Sequence, residues 1–132
     1  MIKRTAFLAA VAALLPFTPA KAADFSMTFD WGNIKRCTSG SPNTVPNPKF
    51  TLRGVPEGTA SIQFRMVDLA VPSYPHGGGT AKYAGGSTIA PGAFKYRSPC
   101  PPNGRHNYEW TATAKDASGK KLGQAKARKA YP

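Results

Sequence analysis

Residues 100–110 read Cys-Pro-Pro-Asn-Gly-Arg-His-Asn-Tyr-Glu-Trp. The paired prolines fix φ and remove two backbone donors, so Pro101-Pro102 belongs to a rigid loop rather than to an interior strand. From His106 the pattern changes. His106, Tyr108 and Trp110 alternate with Asn107 and Glu109, the period of two that marks a strand with one buried face. The histidine thus opens an apolar strand face, where bulk water thins out and an imidazole can meet a ligand. Ala60–Asp68 carries the complementary arrangement: Ile62, Phe64, Met66 and Asp68 share one face, so an acid closes a face that began as hydrocarbon. Antiparallel pairing would set the end of this strand beside the start of the other. Asp68, His106 and Tyr108 are then expected at one mouth.

The rest of the chain reads as short strands divided by turn residues. Phe25–Phe29 alternates, Thr38–Pro48 is loop rich in Ser, Pro, Asn and Gly, and Lys49–Leu52 is a short strand before the turn Val55-Pro56-Glu57-Gly58. Val71–Pro91 is broken by Pro72, Pro75, Gly77–Gly79, Gly85-Gly86 and Pro91, which leaves room for one short strand, Thr80–Tyr83. Phe94–Tyr96 and Asn107–Lys115 follow. After the turn at Asp116–Gly119, Gln124–Lys129 alternates polar residues with alanine, as an edge strand blunted by lysines does. No segment of the mature chain shows a helical apolar stripe. The fold class is all-β and mainly antiparallel, a compact β-sandwich with little helix in one domain over residues 23–132.

The first 22 residues carry the features of a secretory signal peptide. Lys3 and Arg4 precede an apolar run from Ala6 to Phe17, and Ala20-Lys21-Ala22 is a small-x-small cleavage site. The run is too short for a membrane anchor, and the mature chain is expected in the periplasm or outside the cell. The 132-residue chain holds 18 Lys and Arg; without Lys3, Arg4 and Lys21, 15 remain against 6 Asp and Glu, a balance of +9. Such a charge suits anionic partners, namely phosphate headgroups, lipid surfaces, acidic polysaccharide or nucleic acid, and equally suits plain solubility. Two cysteines, Cys37 and Cys100, lie 63 positions apart, with no further thiol to build a metal site. In an oxidising compartment a disulfide is the economical reading, two free buried thiols the alternative.

Three linked motifs resemble the phosphatidylethanolamine-binding protein family, with the bacterial Raf-kinase-inhibitor-like branch the nearest in pattern. Asn47-Pro48-Lys49-Phe50-Thr51-Leu52-Arg53-Gly54-Val55-Pro56-Glu57-Gly58-Thr59 is similar to its Ser-Pro-x-Leu-x-Trp-x-Gly-Val-Pro-Glu-Gly-Thr stretch. Asp68-Leu69-Ala70-Val71-Pro72 stands where the family has Asp-Pro-Asp-x-Pro, and Pro99–Tyr108 resembles its Gly-Pro-x-Pro-Pro…Gly-x-His-Arg-Tyr element. Cys37 falls where many bacterial members carry a Tyr-Thr-Cys-Asp-Gly turn. The match runs in order over residues 25–116 and implies the same β-sandwich. It also implies a shallow pocket for a small anion beside the proline loop, with Asp68, His76, Pro101, His106 and Tyr108 as its residues. The chain departs from the pattern at Ala70 for the second acid, Asn107 for the arginine and Leu52 for the tryptophan, with only 27 residues between Pro72 and Cys100.

The side-chain chemistry suits those roles. A tyrosine hydroxyl and an imidazole both donate to a phosphate oxygen, and a protonated histidine adds charge. Ionised Asp68 cannot bind an anion; its fitting role is to orient a histidine. The bland alternative has Asp68 capping a turn and His106 bonding a carbonyl. Lys49 and Arg105 could supply some positive charge or equally be ordinary solvated residues, and Trp110 alternates into the core as a packing residue. Gly77–Gly79 lacks the Lys-Ser/Thr of a phosphate loop and reads as a loop lip. The expected function is a non-enzymatic, exported protein that binds phosphate or a phospholipid headgroup, without cofactor, metal or membrane anchor. Two other classes compete: an inhibitor that docks on a protease or kinase, and a small basic ribonuclease-like hydrolase using His76 and His106. The hydrolase needs both imidazoles and a cation converging on one scissile group. No nuclease motif surrounds the histidines, so nucleic acid is not the expected partner.

Overall fold

A computed structural model describes residues 12–17 and 24–132. Most of the segment expected as a signal peptide lies outside the described residues. The secondary structure of the described chain is wholly strand: β1 (Ser26–Asp30), β2 (Thr44–Pro46), β3 (Lys49–Arg53), β4 (Ser61–Asp68), β5 (Gly78–Lys82), β6 (Thr88–Ile89), β7 (Lys95–Arg97), β8 (His106–Lys115) and β9 (Lys121–Tyr131). They form a three-stranded sheet β1-β3-β6, a two-stranded sheet β2-β7 and a four-stranded sheet β5-β4-β8-β9. Every pairing is antiparallel. The expected all-β fold is thus present, with its strands divided among three sheets.

Alternation builds the core. Met27 and Phe29 of β1 and Phe50 and Leu52 of β3 point inward from the three-stranded sheet. Ile62, Phe64 and Met66 of β4 and Tyr108, Trp110, Ala112 and Ala114 of β8 point inward from the four-stranded one. Phe50 joins the two sheets. Its ring stacks on Phe64 at 4.2 Å between centroids and meets Trp110 edge-on at 5.1 Å. Alanines at 112, 114 and 125 keep the facing layers close. Asn47, in the stretch before β3, is buried yet fully satisfied: its amide donates to the Pro48 and Ala90 carbonyls, and its oxygen accepts from the amides of Gly92 and Phe94.

Two strands lie where the sequence reads as loop. β2 falls inside Thr38–Pro48 and exists because Val45 pairs with Tyr96 of β7, some fifty residues on. β6 is a second strand within Val71–Pro91, held by Phe50 and Thr51 of β3. Strands of two or three residues are set by such distant partners, and local composition does not announce them. The glycine run differs as well. Gly78 and Gly79 are not a loop lip but the start of β5, opposite Arg65 and Phe64. A Cβ on Gly79 would collide with the Phe94 side chain and one on Gly78 with the Phe64 backbone, so close approach explains the glycines.

The four-stranded sheet sets the register that matters most. β4 and β8 pair from Ser61↔Lys115 to Asp68↔Tyr108. Asp68 therefore stands directly across from Tyr108, with His106 two residues further along the same face. The β8–β9 hairpin closes through Asp116, whose Oδ1 accepts from the amides of Ser118 and Lys120 and from the Ser118 hydroxyl. β9 is the expected edge strand, with Lys121, Lys126 and Lys129 exposed along it.

Candidate functional site

At the Asp68 end of the four-stranded sheet lies a cavity of about 160 Å³. Three stretches of chain make its walls: Gly40 and Pro42; Val71, Tyr74 and His76 beyond β4; and Cys100 and Pro102 before β8. Asp68, His106 and Tyr108 complete it from the sheet.

Asp68 is 4% exposed, and both its oxygens are committed. Oδ1 accepts from the Ala70 amide at 2.9 Å, and Oδ2 accepts from His106 Nδ1 at 2.7 Å. Burial works against its ionisation. The hydrogen bonds from His106 and the Ala70 amide, with the charge of His106, outweigh burial and hold the carboxyl below its usual range. The residue at position 70 thus serves through its backbone, which explains how alanine is tolerated there. With the ionised carboxylate on Nδ1, that nitrogen carries the proton, and Nε2 is the atom left for a guest.

Tyr108 is fully buried; its hydroxyl makes no hydrogen bond of good geometry, and the Asp68 carboxylate and the Cys100 backbone lie beside it. Burial, with the Asp68 charge beside it, pushes the phenol well above its ordinary value, so it keeps its proton. The Tyr96 hydroxyl and Trp110 Nε1 in the core are likewise buried without a hydrogen-bond partner. His76, 3% exposed, is fixed differently. Its backbone carbonyl accepts from the Arg97 amide at 2.9 Å, while Nδ1 donates to the Arg97 carbonyl at 2.9 Å. Burial lowers its pKa, and the ring is neutral near pH 7. Tyr74 packs against it at 4.8 Å, and Tyr108 meets it edge-on at 5.5 Å.

The depressed pKa of His76 has a measurable consequence. A neutral buried imidazole contributes stability above its unfolded value near 6.5, and that stability is lost as pH falls from there through the lower folded value. Asp68, depressed from 3.8, adds a second loss further into acid. Thermal unfolding followed by circular dichroism should show a melting temperature level from pH 8 to 7 and falling below 6.5. The first part of the fall should disappear in His76→Asn; a wild-type profile level down to pH 5 would contradict this assignment.

The disulfide joins Cys37 to Cys100, and it forms part of the cavity's frame. The Gly40 amide donates to the Cys100 carbonyl at 3.1 Å, which lays the 37–42 segment along the proline loop. Of the five residues expected at a pocket, Asp68, His76, His106 and Tyr108 line the cavity. Pro101 does not: it is buried behind the wall, and Pro102 presents its ring instead. Neither proposed source of extra charge reaches the site, since Arg105 donates to the Pro132 carbonyl and Lys49 lies on β3 away from the cavity. Gly40, Pro42, Val71 and Tyr74 carried no signal of their own in the sequence. Tyr74-Pro75-His76 is the one hint, a rigid step that sets an aromatic ring beside an imidazole. Among the described residues, no group of three or more His, Cys, Asp or Glu is placed to hold a metal ion. No helix among them is long and apolar enough to cross a membrane.

No protein-family model matches the sequence, and no curated protein matches it significantly. Among solved structures, the chain is similar to a phosphatidylethanolamine-binding protein homolog from Chlamydia trachomatis. The two share 16% sequence identity and superpose with a TM-score of 0.55, over 83% of this chain and 97% of that one. The fold is therefore of the phosphatidylethanolamine-binding protein type.

Proposed function

We propose that this is an exported, non-enzymatic binding protein whose cavity takes a small anion, a phosphate or the phosphate of a lipid headgroup. The export rests on the pattern of residues 1–22, and the placement in the Raf-kinase-inhibitor-like branch rests on the three motifs. The observation that carries the binding role is the Asp68–His106 pair, which lines the cavity with the imidazole held by Nδ1. Asp68 holds the imidazole by Nδ1, so Nε2 donates to an anion only when the ring carries its second proton. A hydrolase is less well served: both imidazoles line the cavity, but its lining contains no Lys or Arg to stabilise a developing charge.

Titration with inorganic phosphate and with phosphoethanolamine, followed by amide NMR, tests this reading. Residues near 68 and 104–108 should shift together. His106→Ala should weaken binding by about 1–3 kcal/mol, the worth of a charge-assisted hydrogen bond. Lys121→Ala, at the far end of the sheet, should change little. Equal losses in both variants, with binding abolished by modest salt, would mean diffuse attraction to a basic surface.

A further inference from the structure

The outer face of the four-stranded sheet is independent of the cavity and has a composition of its own. Antiparallel register arranges its outward side chains in rows across the strands. One row reads Lys82, Ser61, Lys115 and Lys121; the next Thr80, Gln63, Thr113 and Gln124; the third Gly78, Arg65, Thr111 and Lys126. A fourth pairs Val67 with Glu109 and Arg128. Six cations face outward against one acid, and that acid, Glu109, is engaged by Lys126 at 3.6 Å and by Arg128 at 2.6 Å. The second and third rows enclose a shallow depression of about 300 Å³, lined by Gln63, Arg65, Thr111, Thr113, Gln124 and Lys126.

This depression combines two kinds of recognition. Arg65 and Lys126 flank Thr111 from strands on either side, their backbones about 9–10 Å apart at the usual strand spacing. Beside them, two carboxamides and the Thr113 hydroxyl offer donors and acceptors, with Gln124 Nε2 donating to Thr113 Oγ1 at 3.2 Å. The cations suit a carboxylate or another fixed anion; the amides and hydroxyls suit a polyhydroxylated chain. No aromatic side chain occupies an outward position on the four strands, so bases of a single-stranded nucleic acid find nothing to stack on. Nor does a large exposed apolar side chain stand there to enter a bilayer.

We infer that this face binds an acidic polysaccharide. An acid group of the chain seats between Arg65 and Lys126, and the hydroxyls of adjoining sugar rings meet Gln63, Thr113 and Gln124. The lysine row of Lys82, Lys115 and Lys121 holds a further anionic group beyond the neutral row.

The probe is hexagalacturonate, titrated into the full mature protein and followed by amide NMR and calorimetry. Shifts are expected at Gln63, Arg65, Thr111, Thr113, Gln124 and Lys126. Arg65→Gln/Lys126→Gln should weaken binding about tenfold, as the loss of charge-assisted contacts does. Thr113→Val should weaken it as well, though it alters no charge. Neutral hexagalactose should not bind. The proposal is overturned if Lys35→Gln/Lys95→Gln, two cations on other surfaces, weakens binding as much. It is equally overturned if a single-stranded oligonucleotide of matched charge shifts the same residues with the same affinity, or if the six residues do not move.

Discussion

Replacing Cys37 and Cys100 together by serine should lower the free energy of unfolding by about 4 kcal/mol. The bridge closes a loop with its ends 63 positions apart, and without it the unfolded chain regains the conformations that closure removes. In a domain of this size the loss corresponds to a fall in melting temperature of roughly 15–20 °C. Denaturant titration of the double variant measures it, and non-reducing peptide mapping of the wild type checks the link directly. A loss under about 1 kcal/mol would show that native contacts around the bridge, not the closed loop, carry the stability. Those contacts are real: the Cys37 amide donates to the Tyr131 hydroxyl at 2.9 Å, and the Ser98 amide donates to the Asn43 carbonyl at 2.8 Å. They give the 37–42 segment its place in the folded state, so the variant is expected to fold at low temperature with its cavity wall loosened.

Phe50→Ala should cost about 3–5 kcal/mol, the range for truncating a fully buried aromatic. The ring has no exposed surface and touches both main sheets, stacking on Phe64 and meeting Phe29, Phe94 and Trp110. Three of its neighbours are themselves large rings held by their own strands, and such a site collapses poorly around a void. Phe50→Leu should recover more than half the loss by refilling the space. Equal destabilisation in the two variants would mean that ring geometry, rather than volume, holds the sheets together.

What could be read from the sequence follows from how each feature is encoded. β4 and β8 were legible because each is long enough for its alternation to stand out, and both keep one face apolar up to the acid that ends β4 and the histidine that opens β8. Their register followed from the same pattern: an acid ending one face and a histidine opening the other can meet only if the strands run antiparallel. The Asp68–His106 contact is that meeting. β2 and β6 were not legible, because two or three residues carry no period and their partners are far away in sequence. Gly78 and Gly79 read as a loop lip in sequence for a related reason. A glycine that opens a turn and a glycine that admits a close neighbour look alike until the neighbour, here the Phe64 backbone or the Phe94 side chain, is in place. At the cavity, Pro101 and Pro102 were interchangeable in sequence, and only the path of the loop buries one and presents the other.

The three-part wall of the cavity has a thermodynamic consequence. Its residues come from positions 40–42, 68–76 and 100–108, and no single stretch retains the site when the chain opens. An occupant therefore binds the folded state alone, and its binding free energy adds to the protein's stability by mass action. At one hundred times its dissociation constant that addition is about 2.7 kcal/mol, comparable to much of what the bridge contributes. The protein is accordingly its own assay: a rise in melting temperature reports the ligand before its identity is known, and the same rise protects the filled molecule from proteases that cut the open chain.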